Sequence, residues 1–163
     1  MRKQNQQRMY TLSAAIGMIS LVAVLWYLIP RVENFSAISS NEVDDLLYER
    51  LDSYEQALRN NPELSAVVQT ALTAPENLDD DARQLYISHE RRFFGGWEVA
   101  WEHHSAGYFE PERFNVWDSW YVEETHRRPD FAWRENRSNY STAFVRHVDE
   151  LLGVNVAELS VSN

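Results

Sequence analysis

DDDARQLYISHERRFFGGWEVAWEHHSAG, residues Asp79–Gly107, is the stretch that decides the fold. Three aspartates open it, where the positive end of a helix dipole favours negative charge. Gly107 closes it as a C-terminal cap. Between them Ala82, Leu85, Tyr86, His89, Phe93, Trp97, Ala100, Trp101 and His104 recur at spacings of three and four, which predicts one long helix to about Ala106. Gly95-Gly96 interrupts the pattern. Two glycines in a helix interior cost about 2 kcal/mol relative to alanine, so either a neighbouring helix approaches closely there or the helix bends. Gly95, Gly96, Trp97 and Trp101 are therefore the candidate partner or packing surface of the domain.

The same period extends on both sides. Ser40 or Asn41 is placed to cap a helix whose first turn holds Glu42, Asp44 and Asp45, with Val43, Leu47, Leu51, Tyr54 and Leu58 as its apolar stripe. Asn60-Asn61-Pro62 ends that helix and starts the next, with Pro62 at the first helical position and Leu64, Val67, Val68, Ala71 and Leu72 facing inward. Thr73-Ala74-Pro75 reads as a linker. Pro111 starts another helix with Phe114, Trp117, Trp120 and Tyr121 inside, and Pro129 a short segment with Phe131 and Trp133. Tyr140-Ser141 leads into a last helix through Phe144, Val145, Val148, Leu151 and Leu152, capped by Gly153. No strand signal, repeat or low-complexity tract occurs. Fifteen of the 21 aromatic residues lie between Tyr86 and Phe144, so that segment must supply most of the core.

Composition narrows the function classes. The 163 residues form one ordinary domain with room for a real core. Zero cysteines remove disulfides, thiol catalysis, zinc ribbons and iron–sulfur clusters. The formal net charge of −10 argues against nucleic acid, which is bound through Lys and Arg.

Ahead of the helices, Thr11–Ile29 reads TLSAAIGMISLVAVLWYLI, nineteen residues without a charge. As a helix it would span about 28 Å, close to the ~30 Å hydrocarbon core of a bilayer. Tyr10, Trp26 and Tyr27 stand where aromatic rings prefer the membrane interface, and Pro30 stops the helix. Cleavage as a signal peptide at Ala37-Ile38-Ser39 is the alternative, but the apolar run exceeds the usual ~7–15-residue core of such peptides. Arg2, Lys3 and Arg8 precede the run and only Arg31 follows closely, so the short N-terminus is expected in the cytoplasm. In a bacterium the remainder would then lie in the periplasm, with a cytoplasmic domain as the alternative. All 25 acids follow residue 30, against 12 arginines, a surface that anionic lipid headgroups would repel. Ser13, Gly17 and Ser20 are small residues spaced so that another transmembrane helix could approach. The Asn-x-Ser sequons at Asn34, Asn136 and Asn139 read as chance occurrences.

The expected architecture is all-α: a transmembrane helix followed by a compact aromatic-rich helical bundle. Residues 1–10 form a basic cytoplasmic tail, 11–30 the span, 31–39 a linker, 40–153 the helical domain and 154–163 a flexible tail. The run NNPELSAVVQTAL at Asn60–Leu72 resembles the "pro-glu-leu" helix of an uncharacterised bacterial family of single-span membrane proteins. The acidic start at Asp79, the long aromatic helix to Gly107, Phe114 and Trp117, Pro129 with Phe131 and Trp133, and YSTAFVRHVDELL at Tyr140–Leu152 follow in the same order. The resemblance implies a helical fold and no assigned chemistry. Such proteins commonly carry basic residues just after the span, implying a cytoplasmic domain; here the basic cluster precedes it.

Catalytic constellations are sparse. Glu123-x-x-His126 has the i, i+3 spacing of a helical metal motif, but a ferritin-like di-metal site needs two such motifs and two further glutamates. His103 and His104 are adjacent and point about 100° apart on a helix. His89, on the apolar stripe, reads as a satisfied core histidine. Glu98 and Glu102, among Trp97 and Trp101, have the look of an acid/base pair for glycoside chemistry, yet carboxylates one turn apart usually form a solvated face, with Arg91 or Arg92 nearby. The arginines at 127–128 and 134–137 are expected to pair with the abundant acids. No nucleophile elbow, phosphate loop or dinucleotide fingerprint exists.

No catalytic residue, metal site or cofactor is assigned. The leading expectation is a membrane-anchored, non-catalytic accessory or interaction protein. It would contact the lipid bilayer through residues 11–29 and other membrane-protein subunits through its acidic domain. The alternatives are a ligand-binding sensor signalling through a partner, since a ten-residue tail holds no output domain, or a metal enzyme using Glu123, His126 and His89 or Glu98.

Overall fold

The chain divides into two units, Met1–Ile38 and Ser39–Asn163. The structure, a computed structural model, describes residues 40–154, all within the second unit. The apolar run with Tyr10, Ser13, Gly17, Ser20, Trp26 and Tyr27, and all of the tail except Val154, lie outside the described residues. Among the described residues no helix is long and apolar enough to cross a membrane, and there is no strand.

The unit is an all-helical bundle with an aromatic core. Residues 40–60 are helical (α1), followed by α2 (Pro62–Thr73), a 3-10 turn at Pro75–Asn77, α3 (Asp80–Ser105), α4 (Pro111–His126), α5 (Phe131–Asn136), a second 3-10 turn at Arg137–Asn139 and α6 (Thr142–Leu152). The punctuation is local chemistry. Asn61 caps α2, its side-chain oxygen accepting from the Leu64 N–H at 3.1 Å behind Pro62 at the first position. Asp79 caps α3 in the same way, accepting from the Ala82 N–H at 2.8 Å. At the other end the chain reverses at Gly107, whose φ of +78° is open to glycine at no steric cost, and the Tyr108 N–H donates to the His103 carbonyl at 2.8 Å.

α3 is the central helix, packed against α2, α4, α5 and α6. Its burial is broader than a single stripe. Besides the expected positions, Ile87, Glu90, Phe94 and Gly96 are buried. Phe94 packs on Trp133 at 5.1 Å and Tyr86 on Phe131 at 5.8 Å, so α5 covers the side that the periodicity leaves open. The helix does not break at its glycines. A Cβ at Gly96 would lie 2.5 Å from the Tyr121 hydroxyl, so Gly96 marks the close approach of α4, whereas Gly95 faces nothing within 4 Å.

Expectations at five residues need correction. Ser40 is itself helical and buried, and its hydroxyl accepts from the Glu110 N–H at 3.0 Å instead of capping α1. Leu72 and Leu151 are 46% and 44% exposed. At about 100° per residue each falls on the margin of the face its helix buries. Thr73 is the last residue of α2, not linker. Val154, expected in the loose tail, packs against the core and donates its N–H to the Asp149 carbonyl at 2.9 Å.

Candidate functional site

Three buried tryptophans share one arrangement: each indole N–H donates to an aspartate that also meets an arginine or a histidine. Trp117 donates to Asp44 at 2.8 Å, and Arg113 reaches the other carboxylate oxygen at 3.1 Å. Trp133 donates to Asp149 at 2.9 Å, whose second oxygen accepts from Arg137. Trp97 donates to Asp118 at 2.6 Å, and His147 Nε2 lies 2.9 Å from the same oxygen. An ionised carboxylate only accepts, so this contact is donated by His147 Nε2. Each tie satisfies an indole in an apolar interior and fastens one element to another. The carboxylates are thereby committed to holding helices together.

A fourth cluster lies where α1, α3 and the end of α4 meet. Glu90 is 1% exposed. It accepts from Tyr54 Oη at 2.8 Å and from Arg128 Nε at 2.6 Å. Arg128 also donates to the Glu124 carbonyl at 2.5 Å and lies over the Phe93 ring at 3.7 Å from its centroid. Burial opposes the charge on Arg128, but Glu90 and Tyr54 more than offset that, and its pKa moves up. Burial, reinforced by Glu90, pushes the Tyr54 and Tyr86 hydroxyls well above the ordinary phenol range. His89 stacks on Tyr54 at 4.1 Å. Burial, with Arg92 and Arg128 nearby, lowers its pKa from 6.5 to about 4. His89 Nε2 has no hydrogen-bond partner, so the expectation of a satisfied core histidine is corrected: it is buried and half-satisfied at best.

The other candidate residues are placed as follows. Glu123 accepts from Arg127, and His126 is exposed at the end of α4. Among the described residues no group of three or more His, Asp and Glu is placed to hold a metal. Glu98, besides lying at the surface, accepts the Ser141 N–H at 2.8 Å at the start of α6, and among the described residues no ion pair joins it to Arg91 or Arg92. Glu102 is exposed. His104 stacks on Phe114 at 4.1 Å, while His103 lines a shallow groove of about 290 Å³ with Glu42, Val43, Leu46 and Tyr108. Gly96 and Trp97 are interior, Trp97 stacked on Tyr121 at 5.4 Å, and Trp101 is half-buried. Asn136 is fully buried and donates to the Ile87 and Ala132 carbonyls, which removes its sequon from the surface.

Sequence reasoning missed Glu90, Asp118 and Asp149, because their partners lie 38, 21 and 16 residues away and no local pattern signals them. It also missed the large exposed apolar groups. Tyr48 is 62% and Val116 70% exposed, with Tyr48 set edge-on to Trp117 at 5.0 Å across the α1–α4 seam. No protein-family model, curated protein or solved structure matches this chain.

Proposed function

We propose that the chain is a non-catalytic accessory protein, anchored in a membrane by residues 11–29, that presents its acidic helical domain to a membrane-protein complex. One observation carries this reading: an uncharged nineteen-residue run precedes a domain whose closely placed ionisable groups are engaged in ties between helices. Catalysis needs an acid or base within reach of a substrate, and Glu90, Asp118 and Asp149 are occupied instead. The resemblance over roughly Ala57–Leu152 to bacterial single-span proteins supports the same organisation, and the charges before the run favour a periplasmic domain.

Purification of the full chain in mild detergent tests it. The expected result is a stoichiometric membrane-protein partner; recovery of the chain alone at native expression would overturn the reading. A C-terminal alkaline phosphatase fusion should be active in a bacterial host. An inactive phosphatase with a fluorescent cytoplasmic reporter at the same junction would reverse the sidedness.

A further inference from the structure

From the α1–α4 seam we infer that the face built from Tyr48, Val116 and Trp120 is where the partner docks, and that its occupant is a cationic amphipathic helix of a partner protein. This inference rests on the accessory-protein reading and names the chemistry of the partner. The domain buries nearly all its large aromatic side chains, yet leaves Tyr48 62% and Val116 70% exposed on adjoining helices. Trp117 joins the two helices at this seam, meeting Tyr48 of α1 at 5.0 Å and Trp120 of α4 at 5.9 Å. Val116 and Trp120 are one turn apart and so share a face of α4. Aromatic side chains held rigid by their neighbours lose little freedom on binding and recur as interface anchors. A seam between two helices offers the groove into which a third helix lays its apolar stripe.

Charge chooses among occupants. Asp45 and Glu49 flank Tyr48 on the outer side of α1, and Glu112 stands one turn before Val116. All three are exposed and have no cationic partner among the described residues. The nearby cation Arg113 is engaged by Asn41 and Asp44. A second copy of this chain, at −10, would set the same acids against themselves, and anionic lipid would be repelled. Lys or Arg beside an apolar stripe meets both the anchors and the rim, with the rim setting specificity and on-rate.

The test uses the full chain in nonionic detergent and a labelled 14-residue helical peptide of leucine and lysine, with the detergent alone as background. The charge-reversed leucine/glutamate peptide is the control. Fluorescence anisotropy should show binding of the lysine peptide above background and none of the glutamate peptide. Y48S/V116S should weaken it at least tenfold, and D45N/E49Q/E112Q should weaken it and flatten its salt dependence, with unchanged melting temperatures for both. Equal binding by the variants, or by the two peptides, would overturn the inference. So would a concentration-dependent dimer of the wild type that V116D dissolves, which would assign the face to a second copy. A native partner retained in full by Y48S/V116S removes this face and leaves the accessory reading standing. Peptide binding lost in those variants, with no native partner recovered, leaves the face standing and removes the reading.

Discussion

Tyr121 occupies the space that a side chain at Gly96 would need: a Cβ there would lie 2.5 Å from the Tyr121 hydroxyl. The ring cannot easily retreat, because Trp97 stacks on it at 5.4 Å with an interplanar angle of 4°. G96A should therefore destabilise the domain by about 1–2 kcal/mol, the overpacking outweighing the roughly 1 kcal/mol that alanine contributes to helix propensity. G95A meets nothing within 4 Å and should stabilise by up to about 1 kcal/mol. Urea unfolding of both variants decides the sign. Y121F in the G96A background should restore part of the loss; if it does not, the hydroxyl is not what the glycine accommodates.

The Glu90–Arg128 pair sets a second expectation. Removing one partner leaves a charge stranded in the interior, so R128M should cost about 3–5 kcal/mol. R128M/E90Q should recover much of that, since the remaining groups are neutral and Tyr54 can still donate to the amide oxygen. A double variant no more stable than R128M would mean that packing against Phe93, rather than charge, accounts for the loss.

His89 gives the domain a pH dependence of defined sign. Its pKa is lowered from 6.5 to about 4 in the folded state, chiefly by burial. Between those values the unfolded chain binds more protons than the folded one, so this residue's contribution to stability falls as pH drops through that window. It is constant above about pH 6.5 and amounts to no more than about 3.5 kcal/mol. H89F keeps the ring against Tyr54 and removes the titration. The stability difference between H89F and wild type should shift in favour of H89F as pH falls from 6.5 to 4. A difference independent of pH would show that His89 protonates equally in both states.

Partner recovery should depend on the uncharged run and not on the exposed histidine of α4. G17L places bulk where close helix approach is proposed, and should reduce co-purification of the partner several-fold without altering membrane insertion. H126A should leave recovery and metal content unchanged. The opposite pattern, with G17L harmless and H126A losing the partner or a bound metal, would favour the metal-enzyme alternative.

Helix boundaries were readable in the sequence because they are set by neighbours in the chain. Asn61, Asp79, Gly107 and Gly153 act within three or four residues of themselves. The apolar stripes were readable for the same reason, and failed at their margins, at Leu72 and Leu151. Polar residues inside the bundle were illegible. Glu90 looks like any acid on an arginine-rich turn until Arg128 and Tyr54 arrive from 38 and 36 residues away. Asn136 resembles a surface sequon until its amide is seen to reach the Ile87 carbonyl, 49 residues distant. The docking face was hidden differently. Tyr48 lies off the stripe of α1, and only the position of Trp117 shows what it stands beside.

The way α1 is fastened has a mechanical consequence. Its first turns are bonded to the loop before α4 and to the first half of α4: Ser40 to Glu110, Asn41 and Asp44 to Arg113, and Asp44 to Trp117. Tension entering the chain at residue 40 is thus borne by cross-links spanning about seventy residues, and passes into α4 before it can unwind α1 from its end. A pull applied at residue 40 is felt first by the helix that carries Val116 and Trp120.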